Sequence, residues 1–168
     1  MVGRAASDIA RWRGAEVIVA GRHRPDGIEQ FIDTTSSDIR EAVLELTDGR
    51  GADLVLDTVG GALFEPALRS LRYDGRMVGL HGGAEPIQLD LNEIYNRQLH
   101  VTGLATVFYD GAHVARIFDQ LRPLFDRGLL PPPAVKTWPL EQAADAYQTV
   151  IEGSAGIKQV LLPIGGAA

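Results

Sequence analysis

The stretch Gly49-Arg50-Gly51-Ala52-Asp53-Leu54-Val55-Leu56-Asp57-Thr58-Val59-Gly60-Gly61 decides the fold class. Asp53 to Asp57 is apolar at its centre, as a parallel strand buried on both faces should be. Gly49 and Gly51 stop the segment before it, and Gly60-Gly61 turns the chain after it. From Ala62 to Arg72 the apolar period changes to helical, with Leu63, Phe64, Ala67, Leu68 and Leu71 on one side. Strand, glycine turn and helix in that order make the first half of a βαβ unit.

The same alternation runs in both directions. Upstream, Val2, Ala5, Ala6 and Ile9 predict an opening helix with Gly14 as its stop, and Glu16–Ala20 predicts a strand. A polar loop from Gly21 to Gly27 leads to a short strand around Phe31 and Ile32. The segment Ser37–Thr47 predicts a helix burying Ile39, Ala42, Val43 and Leu46, with Ser or Asp as its N-cap. Downstream, Gly75–Leu80 predicts a strand with Gly82-Gly83 as its loop. Leu91–Arg97 predicts a short helix and Leu99–Ala105 a strand. A long helix then carries Val114, Ile117, Phe118, Leu121, Leu124 and Phe125, and Pro123 should kink or end it. Pro131-Pro132-Pro133 is a stiff connector. A strand near Val135–Trp138 follows, then a helix with Leu140, Ala143, Ala144, Tyr147, Val150 and Ile151 inward, then a strand over Gln159–Leu162. The whole predicts an α/β fold with a doubly wound, mostly parallel sheet.

Composition narrows the function. The 168 residues are 45% hydrophobic and 23% charged, the mix of a soluble globular chain. With 16 Lys and Arg against 22 Asp and Glu, the net charge of −6 opposes a sequence-independent grip on nucleic acid. No apolar run approaches the span of a bilayer and no stretch reads as a secretory leader, so a cytoplasmic protein is expected. Zero cysteines exclude disulfides and thiolate metal sites.

Ligands of doubly wound sheets sit at the carboxyl ends of the strands. Four strand ends here carry small or glycine-rich turns: Ala20-Gly21-Arg22, Asp57-Thr58-Val59-Gly60-Gly61, Leu80-His81-Gly82-Gly83 and Gly103-Leu104-Ala105. One such turn says little, but several in succession point to a nucleotide site. The Gly21-Arg22-His23-Arg24 loop bears on cofactor choice. A carboxylate there would bond the ribose 2′-OH of NAD, whereas arginine accommodates a 2′-phosphate, and no carboxylate occurs before Asp26. Two ordinary surface arginines are the rival explanation. The histidines His23, His81, His100 and His113 lack metal-ligand spacing and read as structural or surface residues, His81 being the one placed near a bound cofactor. Asp57 reads as a turn residue rather than a general base. No Ser–His–Asp or paired-carboxylate arrangement is legible, so the pattern offers a binding site without catalytic machinery.

The order of these motifs resembles the medium-chain dehydrogenase/reductase superfamily, and within it the zinc-independent quinone oxidoreductase branch. The resemblance lies in Val2–Ala6, Gly14–Ile18, Gly49–Gly61, Asp74–Val78 and the tail from Pro139-Leu140 through Tyr147 to Lys158–Pro163. It implies a Rossmann-like dinucleotide-binding domain over 1–133, lacking its usual first strand, and a 134–168 segment that in the family packs on a catalytic domain. Val2-Gly3 match the end of the family's glycine-rich turn, with Met1 where a glycine would stand. The first strand, the rest of that turn and the N-terminal catalytic domain are thus expected to be absent, as is the helix usual between Arg24 and Gln30.

The resemblance further implies NADPH rather than NADH, no zinc, and hydride transfer to a quinone, enone or carbonyl. It places Gly3 at the pyrophosphate, Gly21 beside the basic loop, Arg22 and Arg24 at the 2′-phosphate, and Thr34 near adenine. Thr58, Val59 and Gly60 fall at the ribose, and Leu80, His81 and Gly82 at the nicotinamide. It also implies a homodimer joined through Leu99–Ala105. Two rivals stay open: a non-catalytic nucleotide-binding or oligomerisation module, and an alcohol dehydrogenase fragment.

Overall fold

Helix α1 runs Val2–Trp12, and Gly14 takes the left-handed φ of +82° that stops it. In the computed structural model, which describes residues 2–80, 86–153 and 157–163, the chain forms two compact units, Val2–Arg116 and a second from Ile117 onward. Strand β1 is Ile18–Gly21, two residues later than predicted. The amides of Gly14 and Ala15 still bond the Arg11 and Ala10 carbonyls of α1, so Glu16 and Val17 serve as the approach. Strand β2, Gln30–Asp33, lies parallel to β1 with Ile18 opposite Gln30 and Gly21 opposite Asp33. Helix α2, Ile39–Leu46, is capped by Asp38, whose carboxylate accepts from the Glu41 N–H.

Strand β3 is Ala52–Asp57. A 3₁₀ turn over Gly61–Leu63 leads into helix α3, Phe64–Arg69, which starts two residues later and ends three residues earlier than predicted. Buried Ser70 ends it by donating its hydroxyl to the Ala67 carbonyl at 2.7 Å. Leu71 is buried as predicted, but from strand β4, Leu71–Gly79, rather than from the helix. The pairing jumps from Ala52–Leu71 to Leu54–Arg76, so Arg72–Gly75 bulges out and only Arg76–Gly79 is regular. Helix α4, Leu91–Arg97, matches the prediction, and strand β5, His100–Gly103, occupies the middle of the predicted one. The predicted Gly82-Gly83 loop lies outside the described residues.

Strands β3, β4 and β5 form one parallel sheet and β1 and β2 another. Phe64, Leu68, Leu71, Met77 and Leu99 make the core of the first sheet. Ile32, Ile39 and Val43 make a second cluster, against which Ile18 of β1 and Ala52 of β3 both pack. The two sheets therefore share a core, yet no strand joins β1 to β3 among the described residues. This is a Rossmann-like α/β arrangement of parallel strands. Leu54 and Leu56 of β3 are left exposed.

Helix α5, Gly111–Asp126, runs through Pro123 rather than ending there. Only the residue-119 carbonyl loses a partner, and Asp119 sits on an exposed turn where water can replace it. Its predicted stripe is largely open: Val114, Ile117, Phe118 and Phe125 are exposed, and only Leu124 is buried. In the second unit, strand β6, Val135–Pro139, pairs in parallel with β7, Lys158–Leu162. Helix α6, Ala143–Ile151, follows a 3₁₀ turn over Leu140–Gln142. Of its predicted inward face, Leu140, Ala144, Tyr147, Val150 and Ile151 are exposed and Ala143 half-buried, while Ala146 is buried. A two-stranded sheet covers only one strip of a helix, so the rest of its apolar surface faces outward. No described helix is long and apolar enough to cross a membrane.

Candidate functional site

Parallel strands put all their carboxyl ends on one rim, and β3, β4 and β5 do so in a single row: Asp57 opposite Gly79 opposite Gly103. The next residues are tied to that row. Leu80 N–H donates to the Asp57 carbonyl at 2.8 Å, and Leu104 N–H to the Gly79 carbonyl at 3.0 Å. The turn above β3 is organised by buried Asp57, whose carboxylate accepts from Val59 N–H at 2.9 Å and Gly60 N–H at 2.8 Å. This is the turn role expected of Asp57. Gly60 adopts φ 69°, ψ −152°, a conformation restricted to glycine.

The first turn of α1 reaches the same rim. A Cβ placed on Gly3 would stand 3.9 Å from Thr58 Oγ1, so the helix start and the β3 turn are neighbours. A Cβ there would make only ordinary contact with Thr58, and the first-turn N–H groups of α1, which have no intrahelical partner, lie beside this turn. Gly3, Thr58, Val59, Gly60 and Leu80 therefore belong to one rim. His81 and Gly82 lie outside the described residues.

Gly21 and Thr34 meet at the rim of the other sheet, where Thr34 N–H donates to the Gly21 carbonyl at 3.1 Å. Arg22 is exposed. Arg24 turns back on its own loop: Nε and Nη2 donate to the Ile28 carbonyl at 3.0 and 2.8 Å, and Nη2 donates to the Glu29 carbonyl at 2.6 Å. Asp33, which the sequence reading did not single out, closes β2. The hydroxyl and amide of Thr35 both donate to it, holding its carboxyl below the usual range. A lone Asp before Thr34-Thr35-Ser36-Ser37 was the available signal, since such residues make local turns.

The described histidines do what packing asks. His100 Nε2 meets Asp74 at 2.9 Å, His113 stacks on Tyr109 with centroids 4.3 Å apart, and His23 is exposed. Among the described residues no three His, Cys, Asp or Glu side chains gather closely enough to hold a metal ion.

A family model described as zinc-binding dehydrogenase matches residues 2–120, which takes in both rims. The chain belongs to that family. Within the zinc-binding dehydrogenases it carries the Rossmann portion of the medium-chain dehydrogenase/reductase superfamily. A quinone oxidoreductase-like protein 2 homolog of Nematostella vectensis is 29% identical over 164 residues, covering 88% of this chain and 44% of that protein. The solved quinone oxidoreductase of Pseudomonas syringae superposes with a TM-score of 0.81 at 24% identity, over 96% of this chain and 53% of that one. Escherichia coli quinone oxidoreductase complexed with NADPH gives 0.81 at 22% identity, over 96% and 54%. The two structures establish the fold. The chain spans about half the length of the relatives it matches.

Proposed function

We propose that this chain is the NADPH-binding portion of an oxidoreductase of the quinone-reductase type, acting with a catalytic domain to reduce a quinone, enone or carbonyl. The observation that carries this reading is the approach of Gly3, at the start of α1, to the Thr58–Gly60 turn above β3. Together they bring Gly3, Gly60 and the first-turn N–H groups of α1 to the carboxyl rim, the place where a pyrophosphate needs backbone N–H groups. The E. coli quinone oxidoreductase solved with NADPH, which shares the fold, supports a nicotinamide cofactor.

Residue roles follow from position. Gly3 takes the pyrophosphate side, and Thr58, Val59 and Gly60 the ribose. Gly21 with Arg22 and Arg24 forms the basic 2′-phosphate loop, and Thr34 lies toward adenine. Leu80, His81 and Gly82 fall on the nicotinamide side. Bound nicotinamide would supply the hydride, while these residues bind and orient it and exclude water. The substrate pocket would form against the catalytic domain, so this chain alone should show little turnover and no need for zinc. Edge strand β5, paired with β4 alone among the described residues and exposed along its length, fits a homodimer seam at Leu99–Ala105. A cytoplasmic location accords with this use of NADPH.

Calorimetric titration of the purified chain with NADPH and with NADH tests the reading. Binding of NADPH at least about tenfold tighter, the weight of one charge-assisted hydrogen bond, is expected. Absence of binding by folded chain would reject it in favour of a non-catalytic oligomerisation module.

A further inference from the structure

The connection from β1 to β2 is unusual for its length. Adjacent parallel strands normally need a crossover of about a dozen residues or more, usually helical. Here residues 22–29 make the passage with no helix. Without a helical ladder, the loop carbonyls need other donors. Arg24 supplies them through three N–H contacts to the Ile28 and Glu29 carbonyls, immediately before β2. Ile28 is buried, so this end of the brace is anchored in the protein. Pro25 fixes φ at the next position, and Gly27 has φ +72°.

The loop also folds back over the rim. The His23 carbonyl would lie 3.9 Å from a Cβ on Gly21. The brace thus holds Arg22-His23 at the carboxyl ends of β1 and β2. Arg22 is exposed there, whereas most of the Arg24 fork is already engaged.

We propose that Arg24 is a positioning residue that braces the 22–29 loop, and that Arg22 alone discriminates the 2′-phosphate. The second half of this proposal rests on the NADPH reading above; the first half does not. The distinction turns on chemistry: a lysine at position 24 keeps the charge but loses the planar fork that spans two carbonyls.

The test uses the full chain and the variants Arg22→Gln, Arg24→Gln and Arg24→Lys. Hydrogen–deuterium exchange of 30–34, whose amides lie in and beside β2, should without nucleotide speed up about tenfold in both Arg24 variants and stay unchanged in Arg22→Gln, as expected if the brace holds that end of the strand. Wild-type exchange in either Arg24 variant would overturn the brace. Titrations with NADPH and NADH should show Arg22→Gln removing the preference for NADPH while leaving NADH affinity intact and flattening the salt dependence. Arg24→Lys should lower the preference as far as Arg24→Gln does, with the salt dependence retained. If Arg24→Lys keeps the wild-type preference while Arg24→Gln loses it, Arg24 contacts the phosphate by charge and the division of roles is wrong. Wild-type chain that binds neither nucleotide would overturn the NADPH reading and the role of Arg22 with it, and the exchange experiment would still decide the brace.

Discussion

The β3-β4-β5 sheet and the β6-β7 pair are both parallel, both joined through helices, and both rich in apolar residues. In the first, Met77 is 0% exposed and packs in one cluster with Phe64, Leu68, Leu71 and Leu99. In the second, the helix between the strands leaves Tyr147 68% and Ile151 76% exposed. The apolar period is equally clear in α3 and α6, so the pattern alone does not decide burial. What differs is the material opposite: α3 and α4 close on a three-stranded sheet, whereas α6 has only two strands beneath it. Periodicity names the face that needs covering, and the number of packed layers settles whether it is covered.

This contrast is open to attack by substitution, with Trp12 and Trp138 as separate fluorescent reporters of the two units. Gly51→Ala should do the most damage. A Cβ there would stand 2.8 Å from the Ser70 carbonyl oxygen and 2.9 Å from the Arg72 nitrogen, at φ +86°. Left-handed backbone costs about 1–2 kcal/mol and overpacking about 1–3, so a loss of about 3–4 kcal/mol is expected in urea unfolding read by Trp12. Met77→Ala should cost about 3 kcal/mol through the cavity it leaves, whereas Val150→Ala in the tail should cost under about 0.5. Equal losses at Met77 and Val150 would erase the distinction between the two regions. Asp57→Ala comes next at about 2 kcal/mol, because it orphans two N–H donors in a buried turn. The same variant should weaken nucleotide binding through displacement of Thr58 and Val59, which calorimetry would read separately.

What the sequence displayed, and what it hid, follows the same division. The strand–turn–helix at Asp53–Arg69 was legible because an apolar strand, a glycine turn and a 3.6-residue period are each local signals. The turn role of Asp57 was legible for that reason too. The burial expected of the strand was not met, since Leu54 and Leu56 are exposed. Leu71 was assigned to the wrong element because an apolar residue at helical spacing looks alike whether Ser70 ends the helix or continues it. The bulge at Arg72–Gly75 was marked only by the turn dipeptide Asp74-Gly75, where Asp74 takes φ +57° and a Cβ on Gly75 would stand 2.8 Å from the Arg72 carbonyl oxygen; its register against β3 left no mark. Arg24 showed as a positive charge in a loop. That its fork closes on the Ile28 and Glu29 carbonyls depends on a loop path no spacing encodes. The exposed faces of α5 and α6 were hidden for the reason given above: sequence shows a stripe, and only the assembled layers show what lies against it.

Within the first unit the smallest expected effect lies at the foot of β3, where the sheet meets solvent. Asp53 accepts from Arg50 Nη1 at 2.8 Å and from Arg72 Nε at 2.5 Å, so it ties the bulge of β4 to the strand beside it. Arg72 and then Arg50 hold its carboxyl below the ordinary value of 3.8. A depressed folded value means the contribution is fully present above about pH 4 and is lost as pH falls through the folded value. Asp53 is 57% exposed, so solvent screening limits the pair to under about 1 kcal/mol despite its geometry. Asp53→Asn should therefore lower the urea midpoint slightly at pH 7 and flatten the acid side of the stability profile read by Trp12. The Trp138 signal should not change. At about 1 M salt, where the Debye length is about 3 Å, the variant and the wild type should converge. A Trp138 midpoint that shifted with Asp53→Asn would mean the two units unfold together, and the contrast between a finished core and an open tail would then be one of exposure rather than of independent stability.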